Sequence, residues 1–173
     1  MEGRCFPVEI KYSPCLANKR IEEAVTSAIR MHLHEGPGDI LVFLTGSEEC
    51  ELASKLCYIK LQELLNKGRE VPSMLIFCLY GAQSSEDQEK VFSSAPEQTR
   101  KLVFSTNIAE TSLTIDGIGF VIDCGYVKQK NYNPRTGMVF LSILINSEDF
   151  EIGCFDCTAN LEGSGETESR TSR

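Results

Sequence analysis

Apolar residues recur along the chain in two patterns, one typical of buried strands and one typical of helices. Continuous apolar runs between turn-forming residues predict strands buried on both faces. These runs occupy residues 39–44, 74–79, 102–104 and 119–122. Apolar residues at helical spacing predict amphipathic helices at residues 18–34, at residues 48–66 and from Ser84 or Ser85 to about Val91. Because strands and helices alternate, we expect an α/β domain around a mainly parallel sheet.

Shorter patterns at both ends of this region predict further strands. Residues 8–12 alternate apolar and charged side chains, as a half-buried strand does. Residues 126–132 and 138–143 predict a β-hairpin whose connection contains proline and glycine. The hairpin is the most basic part of the chain, with Lys128, Lys130 and Arg135. These charges either face an anionic ligand or protect a solvated edge strand from pairing with other sheets.

A polar segment, residues 105–117, separates the last two apolar runs. Loops beyond the carboxyl ends of parallel strands are where ligands bind in open α/β sheets, so we expect this segment to lie at that edge. Its short polar side chains suit phosphate or ribose, but the same residue types also cap helices. They are Thr106, Asn107, Glu110, Thr111, Ser112, Thr114 and Asp116.

Composition narrows the classes of protein that remain. The 173 residues carry a formal charge of −8 and 42% apolar content, which suits one globular domain with a core. A general polyanion-binding surface is disfavoured, because nonspecific nucleic-acid affinity comes from Lys and Arg. Residues 144–173 hold seven acidic and two basic side chains, so most of the net charge lies in this tail. Any contact with nucleic acid must therefore be local.

The cysteines and histidines predict no disulfide framework and no metal site. Cys50, Cys57, Cys78 and Cys124 lie in apolar periodic segments and are expected to be reduced core thiols. The pair Cys154 and Cys157 stands alone, without the second Cys or His pair of a zinc site. His32 and His34 face different directions on a helix and are expected to be surface residues. Neither a membrane span nor a secretory signal is visible, which favours an intracellular protein.

Two segments of the chain carry a family resemblance. Residues 105–117 read STNIAETSLTIDG, which resembles motif V of the DEAH-box ATP-dependent RNA helicases, a superfamily 2 group. Residues 41–46 read LVFLTG and resemble motif IV of that family. The resemblance spans about residues 3 to 143 and corresponds to the second of two RecA-like lobes. It implies a RecA-like three-layer α/β sandwich with a mainly parallel central sheet, followed by a β-hairpin.

The resemblance implies contacts with the RNA sugar-phosphate backbone, which carry no base-sequence information. Thr45 would donate a hydroxyl hydrogen bond, and Gly46 would let a phosphate approach the main chain. Ser47 stands where the family usually has Gln, and it is equally suited to cap the next helix. The residues expected to contact RNA are Thr45, Gly46, Thr106, Asn107, Lys128 and Lys130.

The resemblance also implies one side of an ATP site. Phe92 follows Lys90 and Val91 just before a Pro-containing loop, and it would stack on the adenine ring. On general grounds, Phe92 simply anchors a short helix on the sheet. Ser112 would lie on the γ-phosphate side, and Asp116 would contact the ribose or a nearby water. No residue is predicted to bind a metal.

Several motifs of the intact family enzymes do not occur in the sequence. There is no GxxxxGK[ST] phosphate loop, no DExH box and no QRxGRxGR motif VI. We therefore expect a chain truncated before motif VI, with residues 1–143 as the helicase C-terminal domain. Residues 144–173 are expected to form an unrelated acidic tail, disordered from about residue 159. ATP and Mg²⁺ are expected to bind only with the missing first lobe, and the chain alone should not hydrolyse ATP.

The leading hypothesis is that the chain contributes half of an ATP site and half of an RNA track. The alternative is a non-catalytic interaction fragment that competes for helicase partners such as G-patch activator proteins. A third is an unstable fragment without a role. RNA is the expected ligand, no membrane contact or DNA specificity is indicated, and the expected location is the nucleus or cytoplasm.

Overall fold

The structure is a computed structural model that describes residues 8–14, 18–106, 115–134, 137–145 and 153–159. Helices and strands alternate through its first two thirds, as the hydrophobic pattern predicts. The helices are α1 (Arg20–His34), α2 (Ser47–Asn66) and α3 (Ser85–Phe92). The strands are β1 (Val8–Pro14), β2 (Asp39–Phe43), β3 (Met74–Leu79), β4 (Arg100–Ser105), β5 (Ile118–Asp123), β6 (Tyr126–Asn133), β7 (Met138–Ile145) and β8 (Gly153–Ala159).

Among the described residues, six strands form the central sheet, in the order β1-β8-β5-β2-β4-β3. The four strands from β5 to β3 are parallel, so their carboxyl ends meet at one edge of the sheet. Their amino ends meet at the opposite edge, where Asp39 begins β2 and Ile118 begins β5. Strand β8 pairs antiparallel with both β5 and β1. Strands β6 and β7 form a separate antiparallel hairpin.

Side chains alternate along the parallel strands and supply a hydrophobic cluster on each face. Ile40 and Phe104 point to the face covered by α1 and α2, where the larger cluster lies. Leu41 and Val103 point to the other face, where they pack with Val91 of α3. This arrangement of helix, sheet and helix confirms the three-layer sandwich. No helix in the described part of the chain is both long and apolar enough to span a bilayer.

The structure differs from the sequence-based expectations at His32 and Ser47, and it continues the strands beyond residue 143. His32 is buried rather than on the surface, because α1 turns it towards Pro72, whose carbonyl lies 3.0 Å from its Nε2. Ser47 does not cap α2, since Gly46 holds the cap position and no side chain caps the helix. Strand β8 lies within the segment expected to be an unrelated tail, and β7 extends two residues past the predicted boundary at residue 143.

Two further expectations fare differently. Ser84 caps α3 as predicted, with its Oγ accepting from the backbone N–H of Asp87 at 3.2 Å. The disorder expected from about residue 159 falls, beyond that residue, outside the described residues. The domain boundary therefore remains a prediction.

Candidate functional site

Three side chains predicted to contact RNA converge at the carboxyl edge of the sheet. Thr45 follows β2, Thr106 follows β4, and Lys128 lies on β6 of the hairpin. They border one open depression of about 380 Å³. Gly46 is beside them, since the Nζ of Lys128 lies 3.7 Å from where a Cβ on Gly46 would be. Four of the six predicted RNA residues therefore form one surface.

Thr45 is held in place from beneath the depression. Its backbone N–H donates to Oε2 of Glu49, in the first turn of α2, at 3.2 Å. The other carboxylate oxygen of Glu49 pairs with Arg20, the first residue of α1. Each partner of this ion pair keeps only 16% of its side chain exposed. The loop after β2 is thus fixed to both helices on that face of the sheet.

The same arginine also contacts the base of the hairpin. The guanidinium of Arg20 lies 5.5 Å from the ring centroid of Tyr126, the first residue of β6, at a distance typical of a cation–π contact. Two residues further along β6, Lys128 reaches the depression. Arg20 therefore connects the two walls that Thr45 and Lys128 supply. Its pairing with Glu49 also neutralises an acidic group that would otherwise repel a phosphate.

A loop that the sequence reasoning did not select completes the depression. Tyr80, Gly81 and Ala82 line it directly after β3, together with Ser47. The backbone N–H of Tyr80 donates to Oε1 of Gln83 at 2.9 Å, which closes the loop as a turn. The available sequence signal was the Tyr-Gly pair at the carboxyl end of a predicted parallel strand, the position at which ligand-binding loops occur.

Asp123 lies at the carboxyl end of β5, at the same edge of the sheet, and was not among the predicted site residues. Its Oδ1 accepts a hydrogen bond from the backbone N–H of Gly125 at 2.8 Å. Burial raises the pKa of its carboxyl above the ordinary value, and the Gly125 hydrogen bond opposes that rise. Nothing in the sequence distinguished Asp123 from an ordinary residue at the end of a strand.

The described residues predicted to contact ATP lie elsewhere. Asp116 belongs to the turn before β5, and the carbonyl of its neighbour Gly117 accepts from the N–H of Asp39 at 2.9 Å. Asp116 is therefore at the amino edge of the sheet, opposite Thr106, and not at the carboxyl edge where the sequence reasoning placed the whole segment. The reason is topological, because a connection between two parallel strands must return to the other edge.

Phe92 and Asp116 flank the same hydrophobic cluster. Phe92 is partly buried against that cluster, which also contains Ile115, the residue before Asp116. This packing anchors α3 on the sheet, and part of the Phe92 side chain remains exposed. Asp116 is exposed to solvent. Both residues are thus on the α3 face, away from the depression that holds Thr45.

Three predicted site residues cannot be assigned to either place. Asn107 and Ser112 lie outside the described residues. Lys130 is placed only by its backbone, opposite Leu141 in the hairpin. In the part of the chain that the structure describes, no three His, Cys, Asp or Glu side chains are grouped so that they could hold a metal ion.

The parallel sheet with helices on both faces defines a RecA-like α/β lobe. Residues 21–139 match the family model of the helicase conserved C-terminal domain. The chain belongs to this family, and it is the C-terminal RecA-like lobe of a helicase of the DEAH type. The resemblance identified from the sequence is confirmed.

Individual proteins support the same assignment. The chain is 46% identical over 136 residues to the pre-mRNA-splicing factor ATP-dependent RNA helicase prp22 of Schizosaccharomyces pombe. That match covers 79% of this chain and 11% of the relative. Two solved structures of the Escherichia coli helicase HrpB, described as a DExH-box NTPase and as a DEAH/RHA helicase, each superpose with a TM-score of 0.65. They are 38% and 39% identical, and the matches cover 84% and 83% of this chain and 17% of each solved chain.

Proposed function

We propose that this lobe binds the RNA backbone at the carboxyl edge of its sheet and an adenine nucleotide beside Phe92 and Asp116. Half of each site is supplied by this chain, and the other half by the first RecA-like lobe of a complete helicase. The observation that carries the proposal is the convergence of Thr45, Thr106 and Lys128, from three separate segments, on one depression. Mg²⁺ enters the proposal only with ATP bound between both lobes.

The chemistry of the depression suits a phosphate group. Lys128 brings a positive charge, Thr45 and Thr106 bring hydroxyl groups, and Gly81 brings backbone without a side chain. The amino end of α2 begins beside it at Ser47, and the helix dipole favours an anion there. None of these groups reads base edges, so the proposed contact is independent of RNA sequence. A local site of this kind also suits a chain with a net charge of −8.

The RNA part of the proposal is tested by titrating ¹⁵N-labelled protein with a short uridine oligonucleotide. Amide shifts should concentrate at Thr45, Gly46, Thr106 and Lys128. Lys128→Ala should weaken binding and lower the slope of log K against log salt by about 0.7, the value for one phosphate contact on a single strand. Lys67→Ala is the matched control, because it removes the same charge just beyond the other end of the 20-residue helix α2, about 30 Å away. Equal losses in the two variants would show that the binding is diffuse.

The nucleotide part of the proposal is tested in the same way with millimolar ATP or AMP, since half a site binds weakly. Shifts should concentrate at Phe92, Asp116 and Gly117. The chain alone should show no ATP turnover with or without RNA, because its sequence lacks the phosphate loop, the DExH box and the arginines of motif VI. Turnover above background would contradict this.

The partners and cellular location proposed for this chain come from its relatives. The name of the prp22 relative makes a pre-mRNA and a nuclear location the first candidates to examine for this chain. G-patch proteins, expected from the family resemblance, are a further proposed partner. Capture of a purified G-patch segment by the purified chain would test this.

A further inference from the structure

Phe92 and Asp116 occupy separate parts of the chain, yet any nucleotide that they share needs a fixed distance between them. Phe92 is the last residue of α3, and Asp116 lies in the turn that leads into β5. Neither residue is shown in a hydrogen bond to the other. Buried residues beneath Phe92 and Asp116 must therefore hold the two in their relative positions.

A buried lysine fixes the end of α3. Lys101, the second residue of β4, is 4% exposed. Its Nζ donates to the carbonyl of Val91 at 3.3 Å and to the carbonyl of Ser93 at 3.2 Å. These are the carbonyls on either side of Phe92. A positive charge at the carboxyl end of a helix also complements the helix dipole.

Asp39, the partner of Lys101, contacts the turn that contains Asp116 through both its backbone N–H and its carboxylate. Oδ2 of Asp39 lies 3.5 Å from the Nζ of Lys101, and Oδ1 accepts from the Lys101 N–H at 2.7 Å. The N–H of Asp39 donates to the carbonyl of Gly117 at 2.9 Å. Gly117 has a φ of +85°, and a Cβ there would lie 3.3 Å from Oδ2 of Asp39. The carboxylate thus packs directly against the turn.

We propose that Lys101 and Asp39 are a positioning pair for the nucleotide site. The pair holds the backbone on both sides of Phe92 and the backbone next to Asp116 in one rigid unit. Only 4% of the Lys101 side chain and 14% of the Asp39 side chain are exposed, so the pair acts through the two residues that it orients. This inference rests on the proposed nucleotide function and adds residues to it that the family motifs in this sequence do not include.

The pair is suited to this task because its members depend on each other. A buried ammonium that loses its carboxylate keeps an uncompensated charge, and the surrounding backbone rearranges to solvate it. Neutralising both groups removes that penalty but also removes the two hydrogen bonds from Nζ to the end of α3. The double variant therefore separates folding from positioning.

The test compares Lys101→Met, Asp39→Asn and the double variant with the wild-type chain in amide-detected titrations with AMP. The double variant is the decisive one, because it carries no unpaired buried charge. It should lose roughly tenfold or more in AMP affinity, because Phe92 and Asp116 are then no longer preorganised relative to each other. Its affinity for the uridine oligonucleotide, which binds at the opposite edge, should stay within about twofold of wild type.

Lys90→Met is the matched control. It removes a lysine from α3, the helix that ends at Phe92, where Lys90 forms an exposed pair with Asp87. Both affinities should remain those of the wild type. AMP affinity unchanged in the folded double variant would overturn the positioning inference alone. Equal losses for AMP and RNA would also overturn it, since they indicate general destabilisation. If AMP does not shift Phe92 or Asp116 in the wild type, the proposed nucleotide site fails, and the positioning role fails with it.

Discussion

Breaking the ion pair between Arg20 and Glu49 should loosen both walls of the carboxyl-edge depression. Glu49 holds the backbone N–H of Thr45, and Arg20 lies against the ring of Tyr126 at the base of the hairpin. Glu49→Gln keeps the shape of the side chain and removes its charge. Arg20→Met keeps much of the apolar stem and removes the guanidinium.

The expected magnitude follows from the exposure of the pair. Exposed pairs contribute about 0–1 kcal/mol, whereas breaking a fully buried pair costs about 3–5 kcal/mol. With 16% of each side chain exposed, we expect Glu49→Gln to lower the free energy of unfolding by about 2 kcal/mol. For a chain of this size, that loss lowers Tm by about 4–8 °C. Arg20→Met should cost about 0.5–1 kcal/mol more, because the contact with Tyr126 is lost too.

A double-mutant cycle measures the coupling between the two residues. Because the sequence has no Trp, urea unfolding should be followed by far-UV circular dichroism. We expect a coupling energy of about 1–2 kcal/mol, and weaker binding of the uridine oligonucleotide in both single variants. The control cycle uses Lys60 and Glu22, which also join α2 to α1 but are more exposed, at 30% and 62%. Its coupling should stay below about 0.5 kcal/mol. Similar coupling in the two cycles would refute the reasoning.

Three further predictions concern stability and reactivity. Burial lowers the pKa of His32 from 6.5. The buried neutral ring therefore makes its full contribution to the free energy of unfolding above pH 6.5, and this contribution is lost as the pH falls towards the folded-state pKa. Urea midpoints should therefore fall less between about pH 7.5 and pH 5 in His32→Gln than in wild type or the exposed-site control His34→Gln. Gly38→Ala should lower the free energy of unfolding by more than about 1 kcal/mol, measured by thermal unfolding. Gly38 has a φ of +133°, and a Cβ there would lie 3.0 Å from the backbone of Gly119. Gly36→Ala is the control and should be neutral, because a Cβ on Gly36 would meet nothing within 4 Å. Burial raises the pKa of the Cys57 thiol to about 12, so mass mapping after brief iodoacetamide treatment should find Cys57 unmodified until the protein unfolds.

The period of the apolar residues was sufficient to predict the layers of the fold. Strand β3 has the bounds expected from its apolar run, residues 74–79, and α2 begins within one residue of the predicted start. Both follow from local periodicity, because a strand buried on two faces must be continuously apolar and a covering helix must be apolar on one side. Strand β8 lacks such a run. It is a strand because it pairs with β1 and β5, which no local pattern encodes.

Burial of single polar residues depends on contacts that are distant along the chain. The sequence predicts His32 at the surface, whereas the structure buries it. Nε2 of His32 lies against the carbonyl of Pro72, 40 residues away. Nζ of Lys101 donates to the two carbonyls at the end of α3. The sequence shows a histidine and a lysine as polar residues, and only the packed structure shows that Nε2 of His32 and Nζ of Lys101 have partners.

The position of Asp116 could have been derived from the sequence but was not. Once β4 and β5 are both assigned to a parallel sheet, the residues just before β5 must lie at the amino edge, one strand length from the carboxyl end of β4. Six residues at about 3.3 Å each make that separation roughly 20 Å. Under the proposed function, the segment that resembles motif V therefore begins at the RNA edge with Thr106 and ends at the nucleotide edge with Asp116. One covalent connection then joins the two proposed sites of this lobe, and at its far end the carbonyl of Gly117 accepts a hydrogen bond from the backbone N–H of Asp39. Under the proposed function, Asp39 and its partner Lys101 therefore contribute to holding Asp116 at the nucleotide edge.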